Sequence, residues 1–413
     1  MHRLARFATV SVVCFAFTSL PLLSQIPSLP PEQPASQQSA PAADQSVPQQ
    51  PAAPAQATAP QTSSPADQAT PPAPAEATPQ PDPTPASRAS DHSANSKKKD
   101  DNKPIKDAEV HNASLWQDPG DIAAKDMFYG AGGKNGQPMS PFRFTSEDTN
   151  GTNPKFNVTD RNGANWRVKL GTESKPEVVA SRLLWAVGYY VNDDYLLHVA
   201  TIRGLRMKRG KNLTHNGDQV INARFERKPG AETKVAIWQW KNNPFRDTRE
   251  FNGLRVMMAV LNNWDLKDVN NAVYTDKRTG HQIFLVSDIG ATFATNTLEM
   301  SHTKDKGNVQ SYIDSKFITH TTPTTVDFAT PGAPTAVLLK SGGVLAKDYL
   351  DRKGFEWIGD NIPRDDARWI GSLLGQLSHQ QLVDAFRAGD FTPEETNEYI
   401  TVLESRIAQL KAL

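Results

Sequence analysis

The stretch LNNWDLKDVNNAVY, from Leu261 to Tyr274, sets two aspartates, a lysine and four asparagines between two apolar runs. Taking such groups out of water costs several kcal/mol each unless they find partners. Within the stretch, Asp265, Lys267 and Asn270 read D-L-K-x-x-N. A carboxylate, an amine and an amide are the residue types that accept protons, neutralise anions and ligate metals. A further carboxylate, Asp288, follows the apolar run IFLVS and opens Asp288-Ile289-Gly290. Far upstream, WRVKLG delivers Lys169, and the segment after it offers Glu177. The neighbours Asn262, Asn263 and Asn271 suit turn closure. Asp268 reads as a solvated partner of the loop lysine.

These side chains need elements to hold them. FRFTSED (Phe142 to Asp148), KFNVTD (Lys155 to Asp160) and NWRVKLG (Asn165 to Gly171) alternate apolar and polar residues, and the loops TNGTNP and RNGA separate them. That pattern predicts antiparallel hairpins. SKPEVVASRLLWAVGYYV has helical spacing: Val178, Val179, Leu183 and Val187 share a stripe, Pro176 suits the first turn, and Gly188 suits the end. QVINARFERK and TKVAIWQWK read as a second hairpin around PGAE. After Pro244, DTREFNGLRVMMAVLNN is helical, and NAVYTDKRTGHQIFLVSDIG reads as two short strands about Thr279-Gly280. The stretch from Ala294 to Lys353 reads as irregular. The tail holds three helices, with capping boxes at Ser378/Gln381 and Thr392/Glu395 and Pro393 at a first helical position. The expected class is α+β: an N-terminal extension and a small antiparallel, strand-rich lobe with one helix over residues 108 to 243, then a larger helical lobe over 244 to 413.

The combination resembles the protein-kinase-like superfamily over residues 140 to 413. D-L-K-x-x-N matches the spacing of the kinase catalytic loop, and Asp288-Ile289-Gly290 looks like D-F-G with Ile in place of Phe. The resemblance implies that Asp265 orients and deprotonates an acceptor hydroxyl, and that Lys267 neutralises charge on the transferring phosphoryl group. It also implies that Asn270 and Asp288 hold Mg²⁺ or Mn²⁺, that Lys169 contacts the phosphates of ATP, and that Glu177 pairs with Lys169. Glu173 is the competitor for that pairing, placed before Pro176 in the loop. TNGTNP stands where the glycine-rich loop would lie, with Gly151 its one glycine. Asn263 and Trp264 replace the His and Arg of H-R-D, and no A-P-E follows. These departures point to an atypical branch, such as the HipA-like, Fam20-like, CotH-like or phosphoinositide kinases.

The 413-residue chain carries 45 basic and 45 acidic residues, so bulk charge does not favour nucleic acid as a partner. Cys14 is the only cysteine and lies in the leader, which excludes a cysteine metal site further on. Residues 1 to 25 have the basic-then-apolar layout of a cleaved signal peptide or an uncleaved signal anchor. Residues 26 to 107 are rich in Pro, Ala and Gln and read as a disordered, stiff linker that could tether the chain in an envelope. YGAGG (Tyr129 to Gly133) reads as a structural turn, since no strand-to-helix context with GK[ST] surrounds it. The basic run with Arg203, Arg206, Lys208, Arg209 and Lys211 reads as a solvated loop, and the histidines lack zinc spacing. The expected activity is an exported phosphotransferase using ATP and a divalent metal on an unidentified protein or small-molecule acceptor. The alternatives are an inactive kinase-fold binding module in the envelope, where ATP is scarce, and a nucleotidyl transferase on the same fold.

Overall fold

Alternating side chains build the first sheet. The computed structural model of the chain describes residues 101–149, 151, 153–227, 232–263, 265–293, 307–329 and 354–413. After a two-residue strand β1 (Ala113–Ser114) come β2 (Phe142–Asp148), β3 (Lys155–Thr159) and β4 (Asn165–Lys169), an antiparallel meander with a register shift between Phe144 and Ser146. Phe142, Phe156, Val158, Trp166 and Val168 point to one side and are buried. The turn between β3 and β4 is closed by Asp160. Its carboxylate accepts hydrogen bonds from the Asn162 and Ala164 N–H groups and from Trp166 Nε1.

Helix α1 (Ser174–Ala186) follows β4, and Gly188 takes the positive φ of +98° that ends it. Then come β5 (Asp194–Arg203), β6 (Thr214–His215) and β7 (Gln219–Arg227). β5 was not expected, because LLHVAT breaks strict alternation. Its partner β7 keeps one antiparallel register with it from Asp194/Glu226 to Thr201/Gln219, with Asn222 at φ +49°. β7 pairs with β5 and β4, and the start of β2 runs parallel to the end of β5. The five strands β4-β3-β2-β5-β7 therefore close into a barrel, with β6 on the edge of β7. Closure leaves no open edge along the ring.

The expected hairpin of β7 with β8 (Glu232–Ala236) does not form. β8 instead joins a second sheet of order β1-β10-β9-β8 with β9 (Asn271–Asp276) and β10 (Gln282–Val286). The buried Ile237, Trp238 and Trp240 that follow β8 draw the chain into the second core. Residues 229–231 of the expected turn lie outside the described residues. Order also begins earlier than Ala108: Ile105 is buried, and its N–H donates to Ile237 O. The rest of the linker and the leader lie outside the described residues.

Between the two sheet segments runs α2 (Arg249–Val260), capped by Thr248 Oγ1, which accepts from the Phe251 N–H. Beyond β10 lie α3 (Val309–Ile313), β11 (Ile318–Thr321) and β12 (Thr325–Phe328), so part of the stretch expected to be irregular is ordered. Residues 294–306 and 330–353 lie outside the described residues. The tail forms β13 (Ile362–Pro363) and helices α4 (Arg364–Leu374), α5 (His379–Ala388) and α6 (Pro393–Lys411). Both expected capping boxes are present. A large apolar cluster joins α1, α2, β9, β10 and α4 to α6, and a smaller one fills the barrel. Among the described residues no helix is long and apolar enough to cross a membrane.

α4 and α6 touch at Gly371. A Cβ built there would lie 2.5 Å from Leu410 Cβ and 3.2 Å from its carbonyl carbon. Gly371→Ala should therefore destabilise the protein by about 1–3 kcal/mol in urea unfolding. The neighbouring exposed change Ser372→Ala should stay within about 0.5 kcal/mol.

Candidate functional site

The polar residues of the opening stretch find their partners in the loop between α2 and β9. Asn262 takes φ +51° and turns the chain out of α2. Asn263 is buried, and its Oδ1 accepts the Asp265 N–H at 3.0 Å. Asn271 is buried and donates to Trp238 O at 3.3 Å. Asn270 Nδ2 donates to the Asp265 carbonyl at 3.0 Å, drawing the two ends of D-L-K-x-x-N together. Asp268 is not a solvated partner of Lys267. Its carboxylate accepts from the Trp240 N–H at 3.0 Å and from Gln239 Nε2 at 3.1 Å, fastening the loop to the segment after β8.

Lys169 ends β4, and its side chain is only 2 % exposed. Its ammonium lies 2.5 Å from Glu173 Oε2, 2.9 Å from Glu177 Oε2 and 2.7 Å from Asp288 Oδ1. The expected rivalry between Glu173 and Glu177 resolves in favour of both. Glu173 stands at the N-cap position of α1, one turn before Glu177, so the two carboxylates lie on one face. Asn153 Nδ2 donates to Glu173 at 2.5 Å, and Ser174 Oγ donates to Lys169 O at 2.9 Å. Asp288 reaches the same point from the turn after β10, in a left-handed conformation with φ +51°. Gly290 completes that turn under steric constraint. A Cβ there would meet Glu173 Cβ at 2.7 Å and Glu177 Oε2 at 3.0 Å.

A second cation extends the network. Arg224 of β7, opposite Lys169 in register, lies 2.9 Å from each of Glu177, Asp194 and Glu226. Sequence reasoning missed Arg224, Asp194, Glu226 and the part played by Glu173. The one sequence signal was the pair Arg224 and Glu226, alternating with the apolar Ala223 and Phe225 on a strand.

Electrostatics follow from this geometry. Burial alone would lower the Lys169 pKa, but Glu177, Asp288 and Glu173 overcome it and raise it above the ordinary lysine range. Burial also works against ionised Asp288, yet the charge and hydrogen bond of Lys169, then Lys155 and Arg224, hold its carboxyl well below the usual range. Burial pushes Glu177 up against the opposing pull of Arg224 and Lys169. Burial likewise pushes Asp194 up to about 7, against Arg224 and helped by the like charges of Glu177 and Glu226.

Lys169, Glu177, Gly151, Asn270 and Asp288 all line one cleft of about 490 Å³. Its walls come from the barrel strands β4 and β7, from α1, from β8 and β9, and from Asp101 and Asn102. The Asp288 side chain is 40 % exposed and faces this space. Asp265 and Lys267 are not among the lining residues. They pair with each other at 3.1 Å, tied to the cleft through Asn270. Glu173, Glu177 and Asp288 could offer three oxygens to a metal ion, but the Lys169 ammonium already contacts all three.

YGAGG is a structural turn wrapped around buried side chains. The Gly132 N–H donates to Asp193 Oδ1, Gly133 O accepts from the Tyr195 hydroxyl, and a Cβ at Gly130 would strike the Arg182 guanidinium. The basic loop lies over a second hollow of about 710 Å³ lined by Arg206, Lys208 and Lys211. That loop is held by the Glu147 carboxylate, which accepts the N–H groups of Lys208 and Arg209.

No protein-family model matches the sequence. A comparison with curated proteins finds no match. Among solved structures, one similar chain is titled "Crystal structure of A Helicobacter pylori proinflammatory kinase CtkA". The likeness covers 67% of this chain and 98% of that one, at 11% identity and a TM-score of 0.36.

Asp194 supplies a pH test. The native carboxyl titrates at about 7, whereas the unfolded one titrates at about 3.9. Between those values the native state holds a proton that the unfolded chain has lost, so this group's contribution falls as pH rises. From about pH 5 to pH 7, the stability of Asp194→Asn relative to wild type should therefore rise, by on the order of 1–3 kcal/mol. Urea unfolding at the two pH values checks this, and a fall would contradict it.

Proposed function

We propose that the chain is a kinase-like phosphotransferase that binds ATP and a divalent metal in the cleft. The observation that carries the proposal is the meeting of Lys169, Glu177 and Asp288, from a strand, a helix and a distant turn, at one cleft wall. On this reading the barrel with α1 serves as a smaller lobe, and the helical remainder as a larger one. The leader-like residues 1 to 25 support export, and the Pro-rich linker supports a tether in the envelope.

The donor set fits the groups such a reaction needs. Asp288 stays anionic at neutral pH and faces the cleft, as a ligand for a hard cation requires. Asn270 spends its Nδ2 on Asp265 O, while its amide oxygen has no hydrogen-bond partner among the described residues. Asp288 and Asn270 would therefore hold Mg²⁺ or Mn²⁺, and Lys169, fixed by Glu177, would orient phosphate oxygens near Gly151. A bound metal offsets phosphate charge in such sites. Asp265 would take the acceptor's proton, with Lys267 beside it to neutralise developing charge.

One observation favours a second reading, a binding module without transfer. The Asp265 carboxylate is engaged by Lys267 and stands outside the cleft lining. Phosphate or nucleotide transfer by wild type, lost in Asp265→Ala, separates catalysis from binding alone. The mass added to the product separates phosphoryl from nucleotidyl transfer.

The first test is thermal. Wild type should melt higher only when ATP is present with Mg²⁺ or Mn²⁺, with a stabilisation of about 2.7 kcal/mol at a hundredfold excess over Kd. Asp288→Asn should lose the metal-dependent part. A wild type indifferent to ATP with either metal contradicts the proposal.

A further inference from the structure

Three cations stand in a row across the barrel wall. Lys155 on β3 is opposite Lys169 on β4, which is opposite Arg224 on β7. Directly opposed residues share a sheet face, and like charges so placed repel. All three line the cleft.

The structure neutralises two of them. Lys169 has Glu173, Glu177 and Asp288, and Arg224 has Glu177, Asp194 and Glu226. The other cleft cations are also engaged: Arg167 lies 3.6 Å from Glu226, and Lys234 Nζ donates to Asn102 at 2.9 Å. Lys155 alone among the lining cations has no ion pair or hydrogen bond of its ammonium among the described residues. That ammonium hangs over Gly151, 3.2 Å from where a Cβ would stand. It is also near enough to Asp288 to help keep that carboxylate ionised.

We infer that Lys155 is the residue that reads the phosphate chain of the nucleotide. It is the cleft's uncommitted positive charge, so it meets the terminal phosphates beside Lys169, whose own charge is already shared among three carboxylates. This deepens the phosphotransferase reading and rests on it: Lys155 makes the site selective for nucleotides with a polyphosphate chain over monophosphates. Lys155 acts here as a specificity-determining residue. The barrel tolerates its loss, since its side chain is only partly buried and the like charge of Lys169 on one neighbouring strand opposes the attraction of Asp148 on the other.

The test is titration calorimetry on the full chain with ATP, ADP and AMP in Mg²⁺, comparing wild type, Lys155→Met and Lys155→Arg. Wild type should bind ATP more tightly than AMP. Lys155→Met should weaken ATP roughly tenfold or more, the scale of a lost hydrogen bond to a charged group, and leave AMP within about twofold. Lys155→Arg should recover most of the ATP affinity, and ligand-free melting temperatures should stay within about 2 °C of wild type. If wild type binds ATP and Lys155→Met changes ATP and AMP affinity alike, or neither, this inference fails while the phosphotransferase reading stands. If wild type binds none of the three, both fail.

Discussion

The ammonium of Lys169 is buried, and a buried charge is tolerable only when opposite charges and hydrogen bonds surround it. That requirement explains much of the local architecture. Three carboxylates must reach one point, so β4 has to end beside the first turn of α1, and the turn after β10 has to come back to both. Gly290 is needed because α1 lies against that turn with no space for a side chain. Asp288 adopts a left-handed backbone, which aspartate and asparagine take more readily than other non-glycine residues. Removing Lys169 would leave three carboxylates without their shared cation, and losing one partner of a buried ion pair is strongly destabilising.

The carboxylates outnumber the cations they surround. Glu177 is shared between Lys169 and Arg224, and Arg224 also faces Asp194 and Glu226. The charges of Lys169, Lys155 and Arg224 keep Asp288 ionised, while burial and then the like charges of Glu177 and Glu226 push Asp194 toward its protonated form. The wall of the cleft is thus polarised. Its deep side is saturated with internal ion pairs, and its outer side, near Lys155 and Gly151, keeps positive charge in reserve.

Much of this was legible in the sequence, for a physical reason. Strands β3 and β4 alternate, α1 carries Pro176 and Gly188 at its ends, and the tail helices carry their own caps. The polar loop from Asn262 to Asn271 stood out because it interrupts apolar runs. What stayed hidden depends on contacts distant in the chain. Arg224 and Glu226 read as ordinary strand residues, since nothing local says their face is covered. β5 breaks its alternation, so the barrel closure was invisible. β8 left its sequence neighbour β7 for β9, because the tryptophans after it are buried in the other core. Asp268 carried a charge that suggested solvent, and its hydrogen bonds to Trp240 and Gln239 depend on tertiary placement.

On the proposed function, the Asp288 carboxylate from the turn after β10 and the Lys169 amine from β4 jointly receive a metal and a phosphate chain. Anomalous diffraction from crystals of the full chain grown with Mn²⁺ and a non-hydrolysable ATP analogue addresses this directly. The account predicts a manganese peak within about 2.5 Å of an Asp288 oxygen, with phosphate density between it and the side chains of Lys169 and Lys155. Manganese bound by Glu173 and Glu177 with Lys169 expelled, or nucleotide seated away from this cleft, would contradict it.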